Sequence, residues 1–207
     1  MALVHRATVD PSKQELVEAW LPTRPWAQGL EITKKLGEYR FDDPDGEVGV
    51  ETIVFATGEG TSVQVPLTYR AAPLEGADDY LVGTSEHSVL GARWVYDGCG
   101  DPVWAATLAG AILTGGSQAQ MYLEEDGRRI DIPPRITVQG SGTPDAEVPV
   151  ITTVDSVRDD GATTVVRAGD VEIVVARVVG APIEADETLS GELGSASTVL
   201  AGLRRTS

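Results

Sequence analysis

The sequence is poor in several residue types that carry chemistry. Its 207 residues include one Cys, two His and no Asn, and its lysines are Lys13, Lys34 and Lys35. A single Cys excludes an intramolecular disulfide, and two His with one Cys make a structural zinc site implausible. No apolar run approaches the length needed to span a membrane, and the N-terminus lacks a signal-peptide hydrophobic region. We therefore expect a cytoplasmic protein.

The charge is strongly one-sided. The chain has 32 acidic against 16 basic residues and a formal net charge of −16. Such a surface repels phosphate backbones and anionic headgroups, so neither a nucleic acid nor a membrane is expected as a partner. The length is sufficient for one large domain or two small ones.

The first half predicts an α+β domain over residues 1–116. Ser12 and Glu15 have capping-box spacing before an apolar face, and Asp101-Pro102 has the form of a second helix start. Between these two helices, period-two alternation predicts antiparallel strands. The predicted strands cover residues 48–55, 63–69, 80–87 and 93–96. Pro66 cannot donate to a ladder, which predicts an edge strand or a bulge there.

The second half is dominated by strand signals. Asp126-Gly127 predicts a tight hairpin turn, and we expect an antiparallel β-rich domain over residues 117–180. Its further predicted strands cover residues 136–138, 148–157, 163–167 and 171–179. Residues 181–207, rich in Ala, Gly, Ser and Thr, are expected to form a partly flexible tail or one short helix near residues 198–203.

Four runs in the first half resemble a known family. In order they are RFDDPDGEVGVET (40–52), QVPLTYRAAPL (64–74), GTSEHSVLG (83–91) and RWVYDG (93–98). Together they resemble the N-terminal cap domain of actinobacterial maltokinases. The resemblance covers roughly the first 116 residues, and residues 130–180 more loosely.

This resemblance implies a fold and a metabolic context. Maltokinases phosphorylate maltose from ATP, and their cap precedes the nucleotide-binding lobe. The cap implies a cystatin-like arrangement in which a helix packs on an antiparallel sheet. The smaller, strand-rich second half then resembles a degenerate kinase N-lobe.

The residues that phosphoryl transfer requires do not appear where a kinase would need them. All three lysines precede the cap sheet, and Ala176 stands about where the strand 171–177 would carry the ATP lysine. No His follows His87, and no Asn is available to hold a metal. The chain is therefore expected not to be an enzyme, with no catalytic, cofactor-binding or metal-binding residues.

Other motifs favour structural roles. Glu86 and His87 could form an acid/base pair, but neighbours on a strand point to opposite faces. Cys99 could be a reactive thiol, but only two His exist to activate it. The acidic loop at residues 42–47 fails the spacing of a calcium-binding EF-hand loop, so a solvated turn is expected.

A set of aromatic and charged side chains could contact a ligand or partner. Aromatic faces combine apolar area with a polar edge, although core packing is their commoner fate. The predicted contact residues are Trp26, Glu86, His87, Arg93, Trp94, Tyr96 and Asp97.

Two functions from different classes follow. The first is a non-catalytic accessory protein that binds a maltokinase, trehalose synthase or another α-glucan enzyme. The alternative is a protein that binds maltooligosaccharides or sugar phosphates. An unrelated enzyme using Glu86, His87 and Asp97 is a weaker third hypothesis.

Overall fold

The computed structural model describes residues 2–3, 7–125, 127–194 and 196–206, with only the backbone at residues 2 and 3. These residues form two α-helices, α1 (Lys13–Trp20) and α2 (Pro102–Leu113), and four short 3-10 helices. The strands are β1 (Ala2–Leu3), β2 (Val9–Asp10), β3 (Ile32–Phe41), β4 (Gly49–Thr57), β5 (Ser62–Arg70), β6 (Leu81–His87), β7 (Gly91–Asp97), β8 (Met121–Glu125), β9 (Arg128–Ile132), β10 (Thr137–Gly140), β11 (Ser156–Asp160), β12 (Thr163–Ala168), β13 (Val171–Ala176), β14 (Glu187–Leu193) and β15 (Ala196–Arg205). The 3-10 helices are Leu21–Thr23, Pro25–Ala27, Asp78–Tyr80 and Gly98–Gly100. Neither described α-helix is both long and apolar enough to cross a membrane.

The first sheet carries α1 on one face. Its strand order is β2-β6-β7-β5-β4-β3, and each pair is antiparallel. Ser12 and Glu15 form the predicted capping box of α1. Leu16, Val17 and Trp20 of the helix are buried in a cluster with apolar side chains of β4, β5 and β7. The α+β class expected from the sequence is confirmed.

The start of α2 is tied to the opposite face of this sheet. Asp101 caps the helix by accepting from the backbone N–H of Val103 at 2.9 Å. The same carboxylate accepts from Thr68 Oγ1 at 2.7 Å and pairs with Arg70 at 2.7 Å. A fully buried carboxylate needs such partners, so the cap also fixes how α2 meets β5.

A second six-stranded sheet shares one hydrophobic core with the first. Its order is β10-β14-β15-β13-β12-β11, and β1, β8 and β9 form a separate small sheet. One buried cluster includes Val54 of β4, Trp104 of α2, Ile173 of β13 and Leu200 of β15. Packing is therefore continuous across residue 116, where the sequence suggested a domain boundary.

Gln64 joins the two sheets by hydrogen bonds. It is 1% exposed, and its Nε2 donates to the carbonyls of Ala176 at 2.8 Å and Leu200 at 2.6 Å. Its backbone N–H donates to Arg177 O at 3.0 Å. Because a buried amide is costly without partners, these bonds specify the relative position of the sheets.

The hairpin predictions are confirmed, except at one turn residue. β4 pairs with β5, β6 with β7, and β8 with β9 through Glu125↔Arg128. Asp126, predicted to form the turn of the last hairpin with Gly127, lies outside the described residues. The likeness of the second half to a kinase N-lobe stays a prediction.

The short helix predicted near residues 198–203 is wrong. β15 lies between β14 and β13 inside the second sheet, so residues 198–203 form a strand and not a helix. The glycines reflect close packing: a Cβ at Gly191 would lie 2.4 Å from Leu200, and one at Gly202 would lie 2.4 Å from Ala185. The small residues of this segment favoured a tail or helix in the sequence interpretation, but small residues are also required where strands pack closely against their neighbours.

Two strand predictions need correction. Residues 148–155 form no strand, and β11 begins only at Ser156, although Ile151 and Val154 pack against the core. β5 is an interior strand, not an edge. Pro66 is tolerated because it lies between Gln64, which is bonded to Arg177, and Leu67, where pairing with β7 begins.

Candidate functional site

A cleft of about 720 Å³ opens beside α1. One wall is the β6–β7 hairpin, the second is the beginning of α1, and the third is the loop between β3 and β4. Its lining includes Lys13, Leu16, Arg40, Asp42, Asp43, Glu47, Tyr69, Ser85, His87, Leu90, Arg93 and Val95. The cleft thus combines charges of both signs with an apolar surface.

The pairing register of β6 and β7 brings the polar side chains of this wall together. Ser85 is directly opposite Arg93, and His87 is two residues along the strand from Ser85. All three side chains therefore project from one face. It is the face that α1 covers, since a Cβ at Gly83, two residues before Ser85, would lie 2.7 Å from Leu16.

The polar side chains of this wall differ in their hydrogen bonds. Ser85 is 5% exposed, and its Oγ has no hydrogen-bond partner among the described residues. Arg93 Nη1 donates to the neighbouring carbonyl of Ala92, at 3.0 Å. His87 Nδ1 accepts from the backbone N–H groups of Val89 and Leu90, so Nε2 carries the hydrogen of the neutral ring.

A buried carboxylate lies behind the cleft. Glu51 Oε2 accepts from Lys13 Nζ at 2.5 Å and from Tyr69 Oη at 2.7 Å. Burial alone would raise the pKa of Glu51, but Lys13, Arg40 and these hydrogen bonds outweigh it and lower the pKa to about 2. Glu51 is therefore ionised at neutral pH, and the pKa of Tyr69 is raised by burial and by this charge.

The acidic loop between β3 and β4 is organised by one of its own side chains. Asp43 accepts backbone N–H groups from Asp45 at 3.2 Å, Glu47 at 3.0 Å and Val48 at 2.9 Å. Asp42 and Glu47 are exposed at this wall. Among the described residues, no cluster of three or more His, Cys, Asp or Glu side chains could hold a metal ion.

The structure separates the predicted contact residues. His87 and Arg93 line the cleft. Glu86 and Trp94 belong to the opposite face of the β6–β7 hairpin, since the register pairs them with Ala92 and Thr84. The expectation that Glu86 and His87 do not form a dyad agrees with this alternation.

Three of the predicted contact residues are structural. Trp26 and Tyr96 are buried, and Tyr96 Oη accepts the backbone N–H of Leu74 at 2.9 Å. Asp97 is buried in an ion pair with Arg177, at 2.5 Å, and the Arg177 guanidinium lies 4.9 Å from the Trp26 ring centroid. These side chains were wrongly placed in a contact surface because burial depends on a partner strand distant in sequence.

Cys99 is also part of the interior. It is fully buried beside the Asp97–Arg177 pair, and burial raises the pKa of its thiol well above the ordinary value. A protonated, inaccessible thiol is a poor nucleophile. The structural role expected for Cys99 agrees with this environment.

The predicted contact residues include only two of those that line the cleft, His87 and Arg93. Ser85 could have been found, because alternation places it on the same face as His87. Lys13, Arg40 and Tyr69 come from a helix and two other strands, so only the fold brings them to the cleft.

The family comparison covers most of this site. Residues 20–101 match the model of the maltokinase N-terminal cap domain. This part of the chain is similar to the cap domain of maltokinases. The resemblance predicted from the sequence is confirmed over these residues.

The matched region extends from the last residue of α1 to the N-cap of α2. It contains Arg40, Tyr69, Ser85, His87 and Arg93, whereas Lys13 precedes it. Comparison with curated proteins finds no match to the chain. The looser resemblance over residues 130–180 stays a prediction.

Proposed function

We propose that this protein is a non-catalytic accessory protein that binds an enzyme of maltose, trehalose or α-glucan metabolism, a maltokinase or a trehalose synthase in the first instance. The proposal includes the cytoplasmic location predicted from the sequence. The observation that carries it is the cap domain at residues 20–101, which shares its core with a second β-sheet.

The positions of the lysines support a non-catalytic role. Lys13 is paired with Glu51. Lys34 and Lys35, which were expected to precede the cap sheet, instead lie within it, in its edge strand β3. Ala176, at the position where the resemblance would require the ATP lysine, is fully buried in β13. A lysine at that position would place its ammonium group in the core, where an unpaired charge is costly.

Exposed apolar residues at the β6–β7 hairpin support partner binding. Val89 is 57% exposed and Leu90 is 45% exposed, at the end of the cap sheet beside the cleft. β3, by contrast, is an irregular edge with two register shifts and two lysines, features that oppose strand addition. The hairpin is therefore the surface to test first.

The experiment measures complex formation between purified proteins. Mixing this protein with purified maltokinase or trehalose synthase should give a complex in size-exclusion chromatography, and Val89→Asp should weaken it. Val150→Asp is the matched control, because Val150 is 91% exposed on a loop of the second half. If neither enzyme forms a complex, this function is wrong. If a complex forms and both variants behave alike, the hairpin is not its contact surface.

The cleft favours a second candidate, the binding of a maltooligosaccharide or sugar phosphate. Its volume, about 720 Å³, lies in the range typical of small-molecule sites. Calorimetry is the suitable measurement, because Trp20, Trp26 and Trp104 are buried and Trp94 is on the opposite face of β7. The absence of heat with maltose, maltotriose and their phosphates would exclude this candidate.

A further inference from the structure

β9 is an exposed strand at the edge of the small three-stranded sheet. It pairs with β8, and no other strand of the described residues lies on its second side. Its first four residues, 128–131, are exposed, and Ile130 is 45% exposed although it is apolar. The edge of a sheet presents backbone N–H and C=O groups to which a strand of another chain can bond.

The β8–β9 hairpin determines which residues of β9 direct their backbone groups outward. Glu125 and Arg128 are paired across a two-residue loop, so they form a hydrogen-bonded pair, and such pairs recur at every second residue. In agreement with this alternation, the carbonyl of Ile132 accepts at 3.2 Å from the glutamine that precedes β8. The backbone groups of Arg129 and Asp131 therefore point away from β8.

The sequence of β9 is complementary to itself about Ile130. When two copies of β9 pair antiparallel around this residue, the outward backbone groups of Arg129 lie opposite those of Asp131 of the second copy. Two-fold symmetry repeats the same pair on the other side of the axis. A pairing centred on Arg129 or on Asp131 would instead place like charges directly opposite each other, which is unfavourable.

The side chains of β9 fit the same arrangement. Ile130 is opposite Leu123 of β8, and in the paired arrangement it also lies against Ile130 of the second copy, which removes apolar surface from water. Arg129 and Asp131 project from the other face, where they form an exposed ion pair at 2.6 Å within one chain. Because a carboxylate accepts from more than one donor, Asp131 can keep this partner and also contact Arg129 of the second copy.

β11 is an edge strand with the same charges but a different central residue. Arg158 and Asp160 are two positions apart and form an exposed ion pair at 3.0 Å. The residue between them is Asp159, so the corresponding antiparallel pairing would place two Asp159 residues opposite each other. β11 is therefore a matched control for β9, with similar charge and exposure but without self-complementarity.

We propose that β9 pairs antiparallel with β9 of a second copy of this chain, so that two three-stranded sheets join into one continuous sheet across a two-fold axis. This surface lies outside residues 20–101, the region similar to the maltokinase cap, and it is separate from the cleft and from the β6–β7 hairpin. A five-residue edge buries a small area, so the dimer belongs to the weak, concentration-dependent class.

Sedimentation velocity of the full chain at rising concentration tests the proposal. The wild type should pass from monomer to dimer. Arg129→Asp and Asp131→Arg should each weaken the dimer roughly tenfold or more, because symmetry turns two attractive pairs into two repulsive ones. The control variants Arg158→Asp and Asp160→Arg make the same charge changes on β11 and should leave the dimer unchanged.

A mixture of the two single β9 variants tests the pairing register itself. Each variant carries the charge that the other has lost, so an acidic residue again lies opposite a basic residue at both positions. With a fluorescent label on one variant, a heterodimer should appear at concentrations where neither variant associates alone.

Each variant is first checked for a circular dichroism spectrum like that of the wild type. If a single variant fails to fold, Ile130→Lys takes its place, since it puts like charges next to the two-fold axis. A wild type that stays monomeric at every concentration would overturn the proposal. Equal dimerisation of the wild type and the β9 variants would assign the dimer to another surface, and the absence of a heterodimer in the mixture would refute the register.

Discussion

Replacing Asp97 by Asn should destabilise the whole protein. Asp97 pairs with Arg177 of the second half at 2.5 Å, and their side chains are 5% and 1% exposed. Arg177 also donates through Nε to Thr164 Oγ1 at 2.8 Å. Removing one partner of a buried pair leaves an uncompensated charge and costs about 3–5 kcal/mol. For a chain of this size, this corresponds to a melting temperature lower by roughly 6–20 °C.

The measurement is thermal unfolding followed by circular dichroism. Because the pair joins β7 to the segment after β13, wild type and variant should each unfold in one transition. Asp160→Asn is the control, since its exposed pair with Arg158 contributes about 1 kcal/mol or less. Two separate transitions in the wild type, or equal shifts in both variants, would refute the conclusion that this pair couples the halves of the chain.

Three further predictions concern stability and reactivity. Glu51→Gln should cost about 3 kcal/mol at pH 7, because the pKa of Glu51 in the folded protein is lowered to about 2. A lowered carboxyl pKa stabilises above the ordinary value near 4.5, so the difference from wild type should vanish as pH falls toward 2 in melting experiments. Gly142→Ala would place a Cβ 1.9 Å from a carbonyl of the last turn of α2 and should cost about 1–3 kcal/mol in denaturant unfolding, whereas Gly58→Ala, in open space, should be neutral. Cys99 should resist a thiol reagent in the folded protein and react once denatured, and rapid native labelling would contradict its burial.

The helix starts and several strands could be predicted from the sequence, because capping residues and apolar alternation act between neighbours in the chain. Ser12 with Glu15 specified the start of α1, and Asp101-Pro102 specified the start of α2. Alternation of apolar residues predicted β4 to β7, since successive side chains of a strand point to opposite faces. Such patterns depend only on neighbours in the chain.

Prediction was wrong where distant strands decide the outcome. Residues 196–205 have a loop-like composition, yet they form a central strand because β13 and β14 provide partners on both sides. Pro66 is a residue typical of edge strands, yet β5 is an interior strand. Pro66 lies between Gln64, which is bonded to Arg177, and Leu67, where pairing with β7 begins. The strands that pair with residues 196–205 and with β5 cannot be identified from the local sequence pattern.

In the candidate site, too, some features follow from the local sequence and others depend on residues distant in the chain. The order of residues in β6 and β7 is sufficient to separate His87 and Arg93 from Glu86 and Trp94, because side chains alternate across a strand. It is not sufficient to show that Asp97 meets Arg177, or that Arg40 and Lys13 lie near Arg93 in space.

The sequence by itself determined the likeness of residues 20–101 to the maltokinase cap domain, the helix starts and the scarcity of Lys, His and Asn. These features depend only on residue identity and short-range spacing. Only the tertiary structure decided that the two sheets share one core, that three predicted contact residues are buried, and that a cleft of mixed charge lies beside α1. These depend on which strands pair and which side chains lose contact with water, and both result from packing between residues far apart in the chain.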